Sequence, residues 1–453
     1  MSSLSLLAAL WFAADPAASR VDVSGGAAIE VRGGFAPRSP QEASEPAVLA
    51  ILTPDVDMEV ASRRGTLFNL GYTPRVQHRY RNLLGVNRPL LLHQGYATLR
   101  QQIDPRWVLG VNLGGSVGEV GYNSAPEIVG DGADAPNVSR TDASVLQIAA
   151  ASAALTAEGR LTRRHTLGLQ TNVVYRTPLG IPEVTDENTQ LSSAGIPEQV
   201  NVSAGVSLDT RVSPVDAVEV EVTPGYFDYN AGDTQFITGQ AVGQWRRDIR
   251  PSLQSTVGAG VFGSAGLGDT QTDDVPVLPV ALASVTGGLV RSAGHSVDAT
   301  LSAGLTPYFD RVQIDLSPRA TINGSVQLSL PPRWTVRGLL GAVTNATRDP
   351  RAPRQNTDGT TQPITESQFR VGVPVTYQIS DEQQFEFGLL MTARAPHFAS
   401  DDFSFGQSEA WLYVAYRIGA GTARGGQEVG GGGQGAVTRS ARGNNDAASG
   451  GRR

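Results

Sequence analysis

From Val312 to Leu330 the even positions read Val312, Ile314, Leu316, Pro318, Ala320, Ile322, Gly324, Val326, Leu328 and Leu330. The odd positions between them are Gln313, Asp315, Ser317, Arg319, Thr321, Asn323, Ser325, Gln327 and Ser329. Successive side chains of an extended chain point to opposite faces, so a period of two over this stretch specifies one strand with an apolar and a polar face. Ordinary strands run about five or six residues, so this one is long for a globular sheet. The same split recurs. Val200, Val202, Ala204, Val206 and Leu208 alternate with Asn201, Ser203, Gly205, Ser207 and Asp209. Val297, Ala299, Leu301, Ala303 and Leu305 alternate with polar or small residues, and Phe369, Val371, Val373, Val375 and Tyr377 do so near the carboxy end. Two stretches depart from the pattern: Ala149 to Ala157 favours helix on propensity, and Leu90 to Leu99 alternates poorly.

Division on this period gives about eighteen candidate strands between Val21 and Ile418, with sixteen the smaller count. From the second strand onward every other link is short: Arg63-Arg64-Gly65, Asp104-Pro105, Thr162-Arg163-Arg164, Ser213-Pro214, Ile249-Arg250-Pro251, Ser292-Ala293-Gly294, Pro331-Pro332 and Ser380-Asp381. Intervening links are mostly longer and polar, as in Asn123 to Thr141, Pro178 to Pro197, Asn345 to Ile364 and Pro396 to Gln407. An even number of long antiparallel strands with alternately short and long turns predicts an all-β fold, a transmembrane antiparallel meander β-barrel. A single open sheet of this many long strands rarely persists, and no linker divides the segment into domains. The aromatic residues fit two girdles at the membrane interfaces. Trp107, Trp245, Trp334 and Phe385 lie by short turns, and Tyr122, Tyr175 and Tyr226 lie toward the long links.

The ends of the chain read differently. Leu4 to Ala14 is an apolar run followed by Ala17 and Ser19 in small-x-small spacing, so residues 1–19 read as a secretory signal, although no Lys or Arg precedes the run. Residues 21–418 are the expected barrel, and residues 419–453, rich in Gly and Arg, read as a disordered tail. No unbroken apolar stretch is long enough for a helical membrane span. Both termini are expected on the periplasmic side of an outer membrane.

Composition narrows the chemistry. All 36 basic residues other than His are Arg, and there is no Lys and no Cys. Lysine Schiff bases, Walker-type phosphate loops, cysteine nucleophiles, disulfides and thiolate metal sites are therefore excluded. With 43 acidic residues and a net charge of -7, nothing points to nucleic acid. Gly114-Gly115-Ser116-Val117-Gly118 matches a nucleophile elbow, but it sits in an alternating stretch with no helix to follow. Ser116 with His93 or His165 is the pairing a barrel hydrolase would need. Gly258 to Gly263 matches GxGxxG without a helix or a ribose-binding acid, and reads as a Gly-rich strand. Asp131, Asp134 and Asn137 lack EF-hand spacing and a closing Glu. The five His are never paired at metal spacing, so no metal site and no cofactor are expected.

Alternating faces, alternating turn lengths and a signal segment together resemble the large outer-membrane β-barrels of Gram-negative bacteria. Barrels of that group commonly end in an aromatic residue, whereas here Tyr416 is followed by a long tail. Eighteen strands is also similar to sugar-specific porins and to the barrel partners of polysaccharide-export proteins. If the apolar face meets lipid, the other lines a lumen. This places Arg176, Arg211, Arg319, Arg370 and Arg394 inside, with Asp209, Glu219, Glu221, Asp298, Asp315 and Glu386. Asn112, Gln170, Asn172, Asn201, Thr300, Asn323 and Gln327 lie among them, and no aromatic run of the sugar-porin kind is seen on this face. The resemblance implies an outer-membrane channel for hydrophilic solutes, with polysaccharide export as one form of it. A structural or adhesive barrel with a closed lumen is the second class, and a barrel hydrolase the third. Expected partners are outer-membrane lipid, lipopolysaccharide and a periplasmic export or cell-wall partner.

Overall fold

The computed structural model describes residues 19–419 apart from 37–44, 63–64, 81–87, 122–144, 181–197, 230–233, 268–276, 293–294, 311–314, 348–363 and 398–406. The described residues form strands and their turns, with no helix. In chain order the strands are β1 (Ser19–Ala36), β2 (Glu45–Ser62), β3 (Thr66–Tyr72), β4 (Arg75–Tyr80), β5 (Leu90–Gln102), β6 (Trp107–Gly121), β7 (Val145–Arg160), β8 (His165–Gly180), β9 (Gln199–Arg211) and β10 (Asp216–Tyr229). They continue as β11 (Thr234–Arg250), β12 (Leu253–Leu267), β13 (Leu278–Ser292), β14 (His295–Asp310), β15 (Asp315–Leu330), β16 (Trp334–Thr347), β17 (Ile364–Ser380), β18 (Gln383–His397) and β19 (Gln407–Gly419).

Segments β3 and β4 both pair with β2 on one side and β5 on the other, so they are one barrel strand interrupted at Thr73 and Pro74. Pro74 has no N–H for the ladder, and the Thr73 amide still donates to Gln94 O at 2.8 Å across the break. The ring therefore has 18 strands, all antiparallel. It closes where β1 pairs with β19, from Gly26 opposite Gly419 to Phe35 opposite Ala410. Closure leaves no unpaired sheet edge, as a sheet standing in lipid requires.

Most strands exceed the roughly ten residues that a tilted strand needs to cross a bilayer. The stretch Ala149 to Ala157, helical on propensity, lies inside β7, where neighbouring strands on both sides take its backbone hydrogen bonds. The poor alternation at the start of β5 also has a cause. Leu91 is 41% exposed on the outer face while Leu90 and Leu92 are buried on the inner one, so both faces are apolar there. Ser19 pairs with Ser62 beside the β2–β3 turn, and the Gly419 amide donates to Glu382 O in the β17–β18 turn, so both described ends reach the short-turn end of the barrel. The long links singled out in the sequence lie almost wholly outside the described residues.

One face carries Val21, Ile29, Val31, Leu52, Val206, Val220, Val257, Leu301, Ile322, Leu340 and Leu412, all exposed. Cross-strand register keeps this set on one side: Ile29 stands opposite Leu52, Val206 opposite Val222 and Ile322 opposite Ala342. The other face is identified by curvature. On the concave side of a closed sheet, side chains of next-nearest strands converge over the strand between them. Gln170 of β8 reaches Glu221 of β10, Tyr96 of β5 reaches Asp57 of β2, and Arg246 of β11 reaches Asp209 of β9. All six residues stand, by register, on the face opposite to the exposed apolar set. The polar face is thus inside, and the exposed apolar face is outside.

Candidate functional site

The site to be read is the concave wall. Its polar groups are arranged in short connected sets. Arg246 Nη2 donates to Asp209 Oδ2 at 2.8 Å. Gln170 Nε2 and Thr223 Oγ1 both donate to Glu221 Oε1, at 2.7 and 3.0 Å. On the other side of the ring, Tyr413 Oη and Thr376 Oγ1 donate to the two oxygens of Glu386, at 2.9 and 3.3 Å. Arg32 pairs with Glu30 on β1, and Tyr96 Oη donates to Asp57 Oδ1 at 2.7 Å. Such pairing lets charges stand on an inner wall without the full cost of isolation. It leaves both signs present around the ring.

Nine of the eleven charged residues assigned to the polar face from sequence can be placed on it. Asp209, Glu219, Glu221, Asp298 and Glu386 are half-buried on the concave face, by register with their neighbours. Arg176 and Arg319 are on that face too, 6% and 3% exposed, nearer the long-loop end. Arg370 is half-buried opposite Gly341, and Arg211, at the short-turn end, donates to Pro214 O at 2.7 Å. Arg394 and Asp315 fall in β18 and β15, but their side chains lie outside the described ones. The sequence reading missed Glu30, Arg32, Asp55, Asp57, Tyr96, Tyr413 and Arg417. The signal was present in Asp55, Asp57 and Glu59, spaced two apart, and extending the alternation into β2 would have found it.

The aromatic candidates divide by end. Trp107, Trp245, Trp334 and Phe385 stand on the convex face near short turns. Trp334 packs on Tyr377 with ring centroids 4.6 Å apart, and Trp245 Nε1 donates to Asp216 Oδ1 at 3.2 Å. Tyr175 and Tyr226 face outward toward the long-loop end, where their hydroxyls donate to Glu198 and Asp228. Tyr122 lies outside the described residues.

A closed antiparallel ring, apolar outside and polar inside, is the architecture of a transmembrane β-barrel. No family model matches the sequence, and no curated protein is similar to it at a significant level. Among solved structures the chain is similar to the siderophore receptor PirA from Pseudomonas aeruginosa, at 9% identity and a TM-score of 0.41, covering 88% of this chain and 80% of that one. It is similar to the outer membrane protein opdK from Pseudomonas aeruginosa, at 10% identity and a TM-score of 0.42, covering 88% and 99%. A bacterial polysaccharide outer membrane secretin matches at 12% identity and a TM-score of 0.33, covering 87% and 97%.

Two features of the inner wall were not legible in the sequence. Phe227, Phe236 and Phe262 face inward on β10, β11 and β12, with Phe227 directly opposite Phe236. No aromatic run appears in the chain because the three are contributed by three strands. Second, among the described residues the inner wall carries two buried apolar clusters. One joins Ala36, Ala47, Leu49, Ile51 and Trp411, with Leu390 against it, and the other joins Val242, Phe262 and Val280, with Leu282. The hydrolase pairings are not assembled. Ser116 is on the concave face of β6, whereas His93 and His165 are on the convex face, bonded to Tyr72 Oη at 2.6 Å and Thr210 Oγ1 at 3.0 Å. The GxGxxG match is part of strand β12. Among the described residues no cluster of His, Asp and Glu could hold a metal ion, and the Asp131, Asp134 and Asn137 set lies outside them.

Proposed function

We propose that the protein is an outer-membrane channel passing hydrophilic solutes through its lumen, with both termini and the short turns in the periplasm. The supporting observation is the mixed-sign concave wall: Asp209 with Arg246, Glu221 with Gln170, and Glu386 with Tyr413 line a ring wide enough at 18 strands to hold water. Amides and hydroxyls such as Asn112, Asn172, Thr300 and Gln327 share that wall and favour neutral or weakly charged solutes over a strongly selected ion. Polysaccharide export is the finer form of this reading, since a neutral polymer suits a wall without strong charge bias. Residues 1–19 would be the export signal and residues 419–453 a periplasmic tail that meets an export or cell-wall partner. The convex face would meet outer-membrane lipid and lipopolysaccharide.

A second reading, a structural or adhesive barrel with a closed lumen, is favoured by the inward apolar clusters. Phe262 and Val280 are only 3% and 2% exposed although they project from the inner wall. Single-channel recording of the folded, full-length protein in a planar bilayer separates the two. Large ohmic steps are expected for the channel. Silence from protein shown to be inserted would sink it in favour of the closed barrel.

A further inference from the structure

The short-turn rim is chemically unlike the rest of the surface. Over the arc β5–β12 its exposed charged groups are Arg106, Arg163, Arg164, Arg247 and Arg250, with Arg160 and Arg211 beside them at the mouth, against the exposed acids Asp104 and Asp248. Both acids are engaged. Asp104 Oδ1 accepts from the amides of Arg106 and Trp107 at 2.6 and 2.8 Å, and Asp248 Oδ1 accepts from Gln254 Nε2 at 2.9 Å. The half-buried Asp216 sits 3.9 Å from Arg247 and accepts from Trp245 Nε1 and Ser213 Oγ.

The four turns of this arc form one connected rim. The Arg160 amide donates to Arg106 O at 2.9 Å, that of Arg211 to Arg164 O at 2.8 Å, and that of Asp248 to Val215 O at 2.8 Å. Thr162 Oγ1 accepts from the Arg164 and His165 amides, each at 3.1 Å, and shapes the turn from which Arg163 and Arg164 project. The depth of the rim is set by its aromatic neighbours. Arg106 immediately precedes Trp107, and the Arg247 guanidinium lies 5.9 Å over the Trp245 ring on the convex face. Outward Trp marks the headgroup level of a bilayer, so in a membrane the Arg247 guanidinium, and the turn that carries Arg106, would stand near the depth of the lipid phosphates.

We propose that this rim binds anionic phospholipid headgroups of the leaflet that meets the short turns, holding the barrel at a fixed depth. The inference rests on the membrane reading above. Guanidinium is suited to the partner: it presents planar donors to phosphate oxygens and stays charged at every physiological pH. Each Arg near an anionic surface adds attraction that falls off within a Debye length, so the preference should weaken with salt.

The test uses the full-length folded protein in vesicles of phosphatidylcholine mixed with phosphatidylglycerol, one lipid brominated at a time. Quenching of the convex-face Trp residues then reports which lipid surrounds the barrel. Wild type should enrich phosphatidylglycerol by about threefold or more at low salt and lose most of that preference at about 0.5 M salt. The R106Q/R163Q/R164Q/R250Q variant should fall to near equal partition, while the corresponding Lys variant keeps the preference; heat-modifiable migration checks that each is folded. Equal partition in wild type, or an unchanged preference in the Gln variant, overturns the proposal. So does tight binding of polyglutamate to the detergent-solubilised wild type without any lipid preference, which would make the rim a docking face for an acidic protein. Failure to insert into either vesicle would overturn the membrane reading itself, whereas insertion without anionic preference overturns this inference alone.

Discussion

Gly71 shows how tightly single residues are fitted on the inner wall. A Cβ at this position would lie 2.2 Å from Cε1 of Tyr96, because the Tyr96 ring lies over the Gly71 backbone on the way to Asp57. Gly71→Val should therefore displace the ring and break the Tyr96–Asp57 hydrogen bond, at a cost of about 1–3 kcal/mol in folding stability. Denaturant unfolding of the reconstituted barrel measures it. Tyr96→Ala in the same chain should relieve the ring's share of the clash, leaving the contact with Asp57 Oδ1 at 2.5 Å, so the double variant should be more stable than the sum of the two losses implies. A charge test belongs at the same scale. Glu386 holds Tyr413 and Thr376 in place, and Glu386→Gln removes one negative charge while an amide keeps the size and an acceptor. In an open channel this should move the reversal potential in a salt gradient toward anions with little change in stability. A reversal potential identical to wild type would argue that Glu386 does not meet the permeating path.

At the scale of the strand, the period of two did most of the work of recognition. Most of the strands and the assignment of Glu221 or Asp298 to one face follow from alternation, since a slip by one residue would turn every side chain to the wrong side, while the eight short turns follow from the length of the links between them. What alternation cannot supply is what stands beside what. Leu90 and Leu92 broke the pattern because the inner wall is itself apolar at that height, and no single strand reveals that Ala47 and Leu49 of β2 join one cluster with Trp411 of β19 across β1. The break between β3 and β4 is similar, for only the pairing of both segments with β2 and β5 shows that they are one strand. The face assignment itself can be tested with two neighbours on β14. Leu301 is 55% exposed on the convex face and Ser302 is its inward neighbour. Leu301→Arg near mid-strand should destabilise the inserted barrel by about 2–4 kcal/mol. Ser302→Arg should be tolerated and alter conductance instead. Equal destabilisation by both would contradict the assignment.

For the whole molecule, the two apolar clusters are placed by topology in a way that bears on conduction. In a ring of 18 strands, β2 and β12 stand nine strands apart, so the Leu49–Ile51 patch and the Phe262–Val280 patch occupy opposite sides of the lumen. Both are shielded from water, while the polar sets around Asp209 and Glu386 lie closer to the short turns. Charged groups share the level of the first patch, since Glu30 and Arg32 stand opposite Ile51 and Leu49 and Arg79 opposite Leu49, so the clusters act on the path as packed bulk, and the lumen should resist ions most where that bulk narrows it. Phe262→Ser and Ile51→Ser each replace apolar surface with a hydroxyl and reduce bulk there. Each should raise single-channel conductance or the fraction of time spent open, and the pair together should raise it further. Substitution of similar size on the polar level, such as Thr223→Ser, should change little. If the serine variants conduct as wild type does, the limiting section of the path lies elsewhere, and the clusters serve only to stiffen the wall.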